Sequence, residues 1–265
     1  MTNPLKDGRG YALAVAAADA PASEAPPPAP TLYLYDVLGV DLFGGIPARQ
    51  VVEDLAALGP VEALDVRINS PGGDVFEAIA VYGALVRFPA QVTMHIDGVA
   101  ASAASLVAMA GDRTLIAENA MVMVHRPWTA VLGDAPEMRR QAEVLDKAWS
   151  AMLATYARRT GRRAATFEQK VAAAGGEWWL TAAEAVSEGF ADHVTKPEKQ
   201  AQVFGLGRFH RVPERLAARA TGDAPASAGH PAVLEIAAPR VTREATAGAG
   251  AAARRRVLEV LRLGG

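Results

Sequence analysis

The chain has 265 residues, half of them hydrophobic, enough for one well-filled domain of about 150–200 residues with flanking segments. Its 27 basic and 29 acidic residues leave a formal charge of −2, so no global field favours nucleic acid or an acidic membrane surface. The absence of cysteine excludes disulfides, thiolate metal sites and cysteine nucleophiles, so covalent catalysis would need another nucleophile.

The N-terminus MTNPLKDGRG lacks a basic-then-apolar leader, and the apolar run near 98–110 is too short to span a bilayer. The expectation is a soluble, cytoplasmic protein with no membrane partner. Residues 12–30 are an Ala/Pro-rich stretch, and 1–30 read as a flexible arm, with order starting near Thr31. From there TLYLYDVLGV reads as a strand, Ala48–Leu58 as an amphipathic helix and Leu64–Asn69 as a strand. A helix over Asp74–Phe88 follows, then a strand at Gln91–Asp97, a helix from Ala101 to Ala110, and strands at Arg113–Ala117 and Met121–His125.

This alternation predicts an α/β fold with largely parallel, buried strands. A long helix over Ala135–Thr160 carries Leu145, Trp149, Met152, Leu153 and Tyr156 at three-to-four spacing, one face to bury. Helical segments near 166–174 and 181–188 lead to GFADHV, with His193 closing a final strand. The domain is thus placed at 31–196. Residues 197–265 form a low-complexity tail with eleven Lys and Arg against six Asp and Glu, in which 252–264 could form a short basic helix.

Two strand-to-helix junctions carry chemistry. In Asn69–Ser70–Pro71–Gly72–Gly73–Asp74 the paired glycines free the backbone and leave room for a substrate to approach it, though alone this could be a tight turn. In Asp97–Gly98–Val99–Ala100–Ala101–Ser102–Ala103 a serine sits among small residues at a helix start, where a developing anion is favoured; alone, such a serine reads as a cap or packing residue. Ser105, one turn on, reads as a packed polar residue. A serine hydroxyl needs a base within reach. Of five histidines, His210 and His230 fall in the tail, His95 lies within a strand, and His125 ends a strand at the mouth of a parallel sheet, where catalytic groups gather.

Residues from about 32 to 194 resemble the Clp-protease-like serine peptidases through four ordered segments: INSPGGDVFEAI (68–79), GVAASAASLVAMAG (98–111), ENAMVMVHRP (118–127) and LTAAEAVSEGFADHV (180–194). The resemblance implies a Clp/crotonase-like fold of repeated ββα units with a long helix for oligomer contacts. It makes Ser102 the nucleophile, His125 the base, and Gly73 and Ala103 the oxyanion-hole amides, with Gly72 and Gly73 binding substrate. The third triad position falls on Glu177 where the family has aspartate; Asp192, or no fixed third residue, is the alternative. No metal or organic cofactor is implied.

Within that group the sequence is more similar to bacteriophage and prophage head-maturation (prohead) proteases. The segments LYLYDVLG, PGGDVFEAIAVYGAL, DGVAASAAS and the Glu–Trp–Trp–Leu–Thr–Ala run carry this likeness. It implies a homo-oligomeric ring inside an assembling procapsid, cleaving capsid and scaffold proteins, with the tail as a scaffold remnant. A general peptidase working with an AAA+ unfoldase, or an inactive assembly protein, are the alternatives. With no nucleotide-binding loop in the chain, ATP hydrolysis would come from another protein. A crotonase-type enzyme or a serine–lysine peptidase using Lys147 fits the Ser102/His125 pairing less well.

Overall fold

The computed structural model describes residues 10–15, 29–40 and 45–196. Four parallel strands form its centre: β2 (Thr31–Leu34), β3 (Ala63–Ser70), β4 (Gln91–Ala101) and β5 (Arg113–Ala117). An antiparallel strand β1 (Tyr11–Ala14) borders β2, and β8 (His193–Thr195) borders β5. Between β2 and β5 run the crossover helices α1 (Ala48–Leu58), α2 (Val75–Val86) and α3 (Ala103–Val107), the last continued by a 3-10 turn at Ala108–Ala110.

Periodicity explains which face is covered. In β3 and β4 burial alternates, with Leu64, Val66, Ile68, Val92, Met94 and Ile96 within 2% of full burial, and these join α1–α3 in one core. The opposite face is half-exposed and polar. There Asp97 takes a bidentate pair from Arg67 (2.8 and 2.6 Å) and a hydrogen bond from Tyr35 (2.5 Å), while His95 lies 2.9 Å from Asp65. The strands are therefore parallel, as predicted, but β3 and β4 are buried on one face only.

The sheet forks at β4. Its first half (Thr93–Ile96) pairs with β5 and its last residues (Val99–Ala101) pair with β6 (Met121–His125). Between them sits Gly98, where a Cβ would lie 2.5 Å from Asn69 Oδ1, the same oxygen that accepts the Val99 N–H. The fork swings the end of β4 out to meet β6, and β6 in turn pairs antiparallel with β7 (Glu177–Thr181). The remaining helices are α4 (Ala135–Thr160), α5 (Ala164–Ala173) and α6 (Ala182–Glu188). Helix α4 starts on an Asp134 cap, ends on Gly161 in the left-handed region, and buries Trp149, Met152, Leu153 and Tyr156 along one stripe. Helix α6 opens with a Thr181/Glu184 capping box.

Three departures from the sequence reading have local causes. A strand occupies Tyr11–Ala14, inside the stretch read as an arm, because Tyr11 donates to Asp54 (2.6 Å) and the segment pairs along the β2 edge. The strand begun at Thr31 ends at Leu34, since the chain turns through Asp36–Gly39, where Leu38 bridges to both Ile46 and Gly73. The helix expected from Ala101 begins at Ala103, because β4 keeps its pairing with β6 through Ala101. Most of the arm, and the whole tail 197–265 with its candidate basic helix, lie outside the described residues.

Candidate active site

The carboxyl ends of β3, β4 and β6 converge on one cleft, and each delivers a residue singled out in the sequence. Ser102 follows β4 directly. Its backbone takes φ +54° and ψ −126°, and among the described residues it is the one non-glycine at positive φ. This turn is pinned on both sides: the Ser102 N–H donates to Met123 C=O (2.9 Å), and the Ser102 C=O accepts from the Ser105 N–H (3.0 Å). The side chain is thereby lifted out of the strand towards β6.

His125 ends β6, 7% exposed, and its Nε2 lies 2.6 Å from Ser102 Oγ. A ring that accepts the hydroxyl proton at Nε2 carries its own proton on Nδ1. Met121 and Met123, at alternate positions before His125 on β6, pack with Val99, Ala101 and Trp179 in a small apolar cluster separate from the main core. Glu177 is the cross-strand partner of His125 in the antiparallel β6–β7 ladder. Directly opposed residues share a face at a Cβ separation of about 4.5–5.5 Å, so the carboxylate is carried to the histidine's side of the sheet.

The glycine turn lies across from the serine turn. Gly72 has φ +91° and Gly73 φ +154°. A Cβ on Gly72 would sit 2.6 Å from Ala101 O and 2.7 Å from Ser102 Cβ, so only glycine lets the two turns touch. The parallel bridge between Leu38 and Gly73 uses Gly72 C=O (2.9 Å from Leu38 N) and Asp74 N–H (2.8 Å from Leu38 O). A parallel bridge spends the flanking groups and leaves the bridged residue's own N–H and C=O facing away from that partner. Neither Gly73 N–H nor Ala103 N–H has a hydrogen-bond partner among the described residues. Asp74 then caps α2 by accepting from Phe76 and Glu77 N–H.

A cavity of about 270 Å³ opens over this group, lined by Ser102 and His125 together with Phe76, Trp128, Leu145 and Met152. Its apolar residues come from α2, α4 and the loop after β6. The helix expected to lend its dipole to the serine, α3, has only five residues, so any anion stabilisation here comes from individual N–H groups.

The other candidates are placed elsewhere. Asp192 accepts from Thr114 N–H (2.7 Å) and Arg159 (2.6 Å). Burial works to raise its pKa, but those two hydrogen bonds and the Arg159 charge outweigh it and hold the carboxyl below its ordinary range. Ser105 is fully buried, and Lys147 is exposed on α4. The positive φ of Ser102 and the β6–β7 pairing were not anticipated. The short aromatic run EWWLT was a strand signal for the second; nothing in the sequence signals the first.

The Clp protease family profile matches residues 46–198, more than half of the chain. The ATP-dependent Clp protease proteolytic subunit 2 of Mycolicibacterium paratuberculosis is 31% identical over 142 residues, 53% of this chain and 70% of that protein. Subunit 1 of Mycobacterium leprae gives the same figures. Subunit 1 of Corynebacterium jeikeium is 31% identical over 148 residues, 55% of this chain and 77% of the relative. The matched span contains the glycine turn, the serine turn, the β6 histidine and the long helix, on a mostly parallel α/β sheet; the chain belongs to the Clp protease family of serine-type peptidases.

Proposed function

We propose that this chain is an endopeptidase in which Ser102 attacks the scissile carbonyl, His125 moves the proton, and Glu177 orients and charge-stabilises the imidazole. The observation that carries this reading is the 2.6 Å approach of His125 Nε2 to Ser102 Oγ at the lip of an apolar cavity. A substrate peptide adds as an extended strand beside Gly72–Gly73, using the C=O of Gly73 that the Leu38 bridge leaves open, while the Gly73 N–H is kept for the scissile carbonyl. His125 takes the hydroxyl proton as Oγ adds to the carbonyl, and the Gly73 and Ala103 N–H groups receive the oxyanion. His125 then protonates the leaving amine, and water, deprotonated by the same ring, releases the acyl group. The apolar residues Leu145 and Met152 wall the cavity on the α4 side of the reacting atoms.

Ser102→Ala is expected to abolish cleavage and fluorophosphonate labelling while the protein still folds and melts cooperatively; specific proteolysis by that variant would sink the assignment. Glu177→Gln should lower kcat by about 100-fold or more, because the histidine loses its charged partner. Asp192→Asn should leave kcat unchanged. The reverse ranking of the two carboxylates would move the third role to Asp192.

For the setting we infer head maturation: a homo-oligomeric ring within an assembling procapsid, trimming capsid and scaffold segments. Support comes from the LYLYDVLG, PGGDVFEAIAVYGAL, DGVAASAAS and EWWLTA segments. The second reading, a peptidase fed by an AAA+ unfoldase, is favoured by relatives that are ATP-dependent proteolytic subunits. Co-expression with a capsid precursor carrying its scaffold segment should yield truncated products that Ser102→Ala does not. Turnover only when an ATP-driven unfoldase supplies the substrate would establish the second reading instead.

A further inference from the structure

The peptide unit joining Ser102 to Ala103 is planar and trans, so its C=O and N–H point in opposite directions. The N–H is the donor assigned above to the oxyanion. Whatever grips the carbonyl therefore aims that donor. The carbonyl is gripped twice by one residue: Ser105 donates its N–H at 3.0 Å and its Oγ–H at 2.6 Å. A serine hydroxyl owns a single proton. With that proton committed to Ser102 C=O, Ser105 Oγ can only accept from Tyr156, whose hydroxyl lies 2.8 Å away. The order is fixed as Tyr156 O–H to Ser105 O–H to Ser102 C=O.

A serine bonding back to the carbonyl three residues earlier is common at helix starts. Two features set this one apart. The acceptor belongs to the one described non-glycine residue at positive φ, a conformation that a side chain resists and that must be held from outside. The relay is also completed by a tyrosine from another helix, α4, with both Ser105 and Tyr156 fully buried. Burial pushes the Tyr156 phenol well above its ordinary range, so the donor stays protonated. Its ring is fixed by Phe167 and Phe190, at centroid distances of 5.8 and 5.4 Å.

We propose that Ser105 and Tyr156 are positioning residues that hold the Ser102–Ala103 peptide so that the Ala103 N–H points at the developing oxyanion. This deepens the Ser102–His125 reading and rests on it. Neither residue touches substrate; both act through the peptide plane.

The test uses the whole 265-residue chain, with Ser105→Ala and Tyr156→Phe, each removing one oxygen and leaving the backbone in place, and the double variant. Rates of fluorophosphonate labelling at Ser102 and of peptide hydrolysis are followed beside thermal melting. Ser105→Ala should lower both rates about tenfold with KM within twofold, because the misaimed donor matters in the transition state and not in binding. Tyr156→Phe should lower them about threefold. The double variant should be no slower than Ser105→Ala, since the tyrosine acts only through the serine. It should also melt higher than Ser105→Ala, which leaves the Tyr156 hydroxyl buried without its acceptor. Activity that stays low while stability recovers is a result that mere packing would not give. The pH midpoint of kcat/KM should not move, because His125 is untouched. If Ser105→Ala fails to fold, Tyr156→Phe carries the test. Wild-type rates in folded variants, a loss appearing in KM, or multiplicative loss in the double variant would each overturn the proposal alone. An unaltered protein that does not label at Ser102 would overturn the catalytic reading and this proposal with it.

Discussion

The two turns that face each other across the cleft solve the same problem by opposite means. After β3 the chain needs positive φ and close approach, and it uses Gly72 and Gly73, where a Cβ would strike Ala101 O or, at 2.0 Å, Leu38 O. After β4 the chain also needs positive φ, at +54°, but there it keeps a side chain. A non-glycine residue in such a conformation costs on the order of 1–3 kcal/mol. The hydrogen bonds to Met123, Ser105 and His125 offset that cost. One turn is permissive by composition, whereas the other is imposed by its surroundings. On the proposed function the asymmetry has a reason: the glycine turn offers only backbone, and the serine turn must offer a hydroxyl.

If this contrast is right, the glycine turn cannot tolerate even one methyl group. Gly72→Ala combines a left-handed backbone with contacts of 2.6 and 2.7 Å to the serine turn, so relaxing one turn displaces the other. We expect a loss of ~3 kcal/mol in urea unfolding, from strain and overpacking together. Labelling at Ser102 should fall at least 100-fold, since the Ala103 N–H and Ser102 Oγ move with the clash. Near-normal stability and labelling would show that the two turns are not in firm contact, and the comparison would lose its basis.

The serine turn makes the converse prediction. Ser102→Ala and Ser102→Gly both lose the hydroxyl and its bond to His125, so the difference between them isolates the backbone. Glycine should be the more stable of the two by ~1 kcal/mol, the reverse of the usual ranking in helix interiors and strands. Equal melting midpoints would mean that the turn stores little strain.

These contrasts also explain what could be read from the sequence. The glycine turn was legible because glycine is itself the signal, and Arg113–Ala117, Met121–His125 and Ala135–Thr160 were legible because period and punctuation agree over their whole length. Ser102 and His125 were legible only as members of an ordered pattern, since each has an ordinary structural reading by itself. The strain at Ser102 was not legible, because it arises from partners 3, 21 and 23 residues away in Ser105, Met123 and His125. Strand β7 was missed because its five residues run straight into the Thr181 capping box, and the helix signal dominated. Tyr156 was read as one more core position on α4; its hydroxyl's partner lies in a different element, so spacing along the helix could not reveal it.

The smallest effect concerns a carboxylate that belongs to neither turn. Asp192 holds Thr114 N–H and Arg159, and its pKa is lowered from its ordinary value because those hydrogen bonds outweigh the burial that opposes them. A group depressed on folding stabilises fully above its unfolded pKa, about 4 for aspartate, and loses that contribution as pH falls through the lower folded value. The wild-type melting temperature should therefore decline below about pH 4 partly on this account, and Asp192→Asn should start lower at neutral pH and decline less steeply on the acid side. Because the side chain is a third exposed, solvent screening keeps the difference small. Peptidase activity at neutral pH should be unaffected, since Asp192 lies outside the hydrogen bonds that fix Ser102 and His125. A steeper acid decline in Asp192→Asn than in wild type would contradict the sign. A selective loss of kcat would instead return Asp192 to the chemistry and separate the serine turn from Glu177.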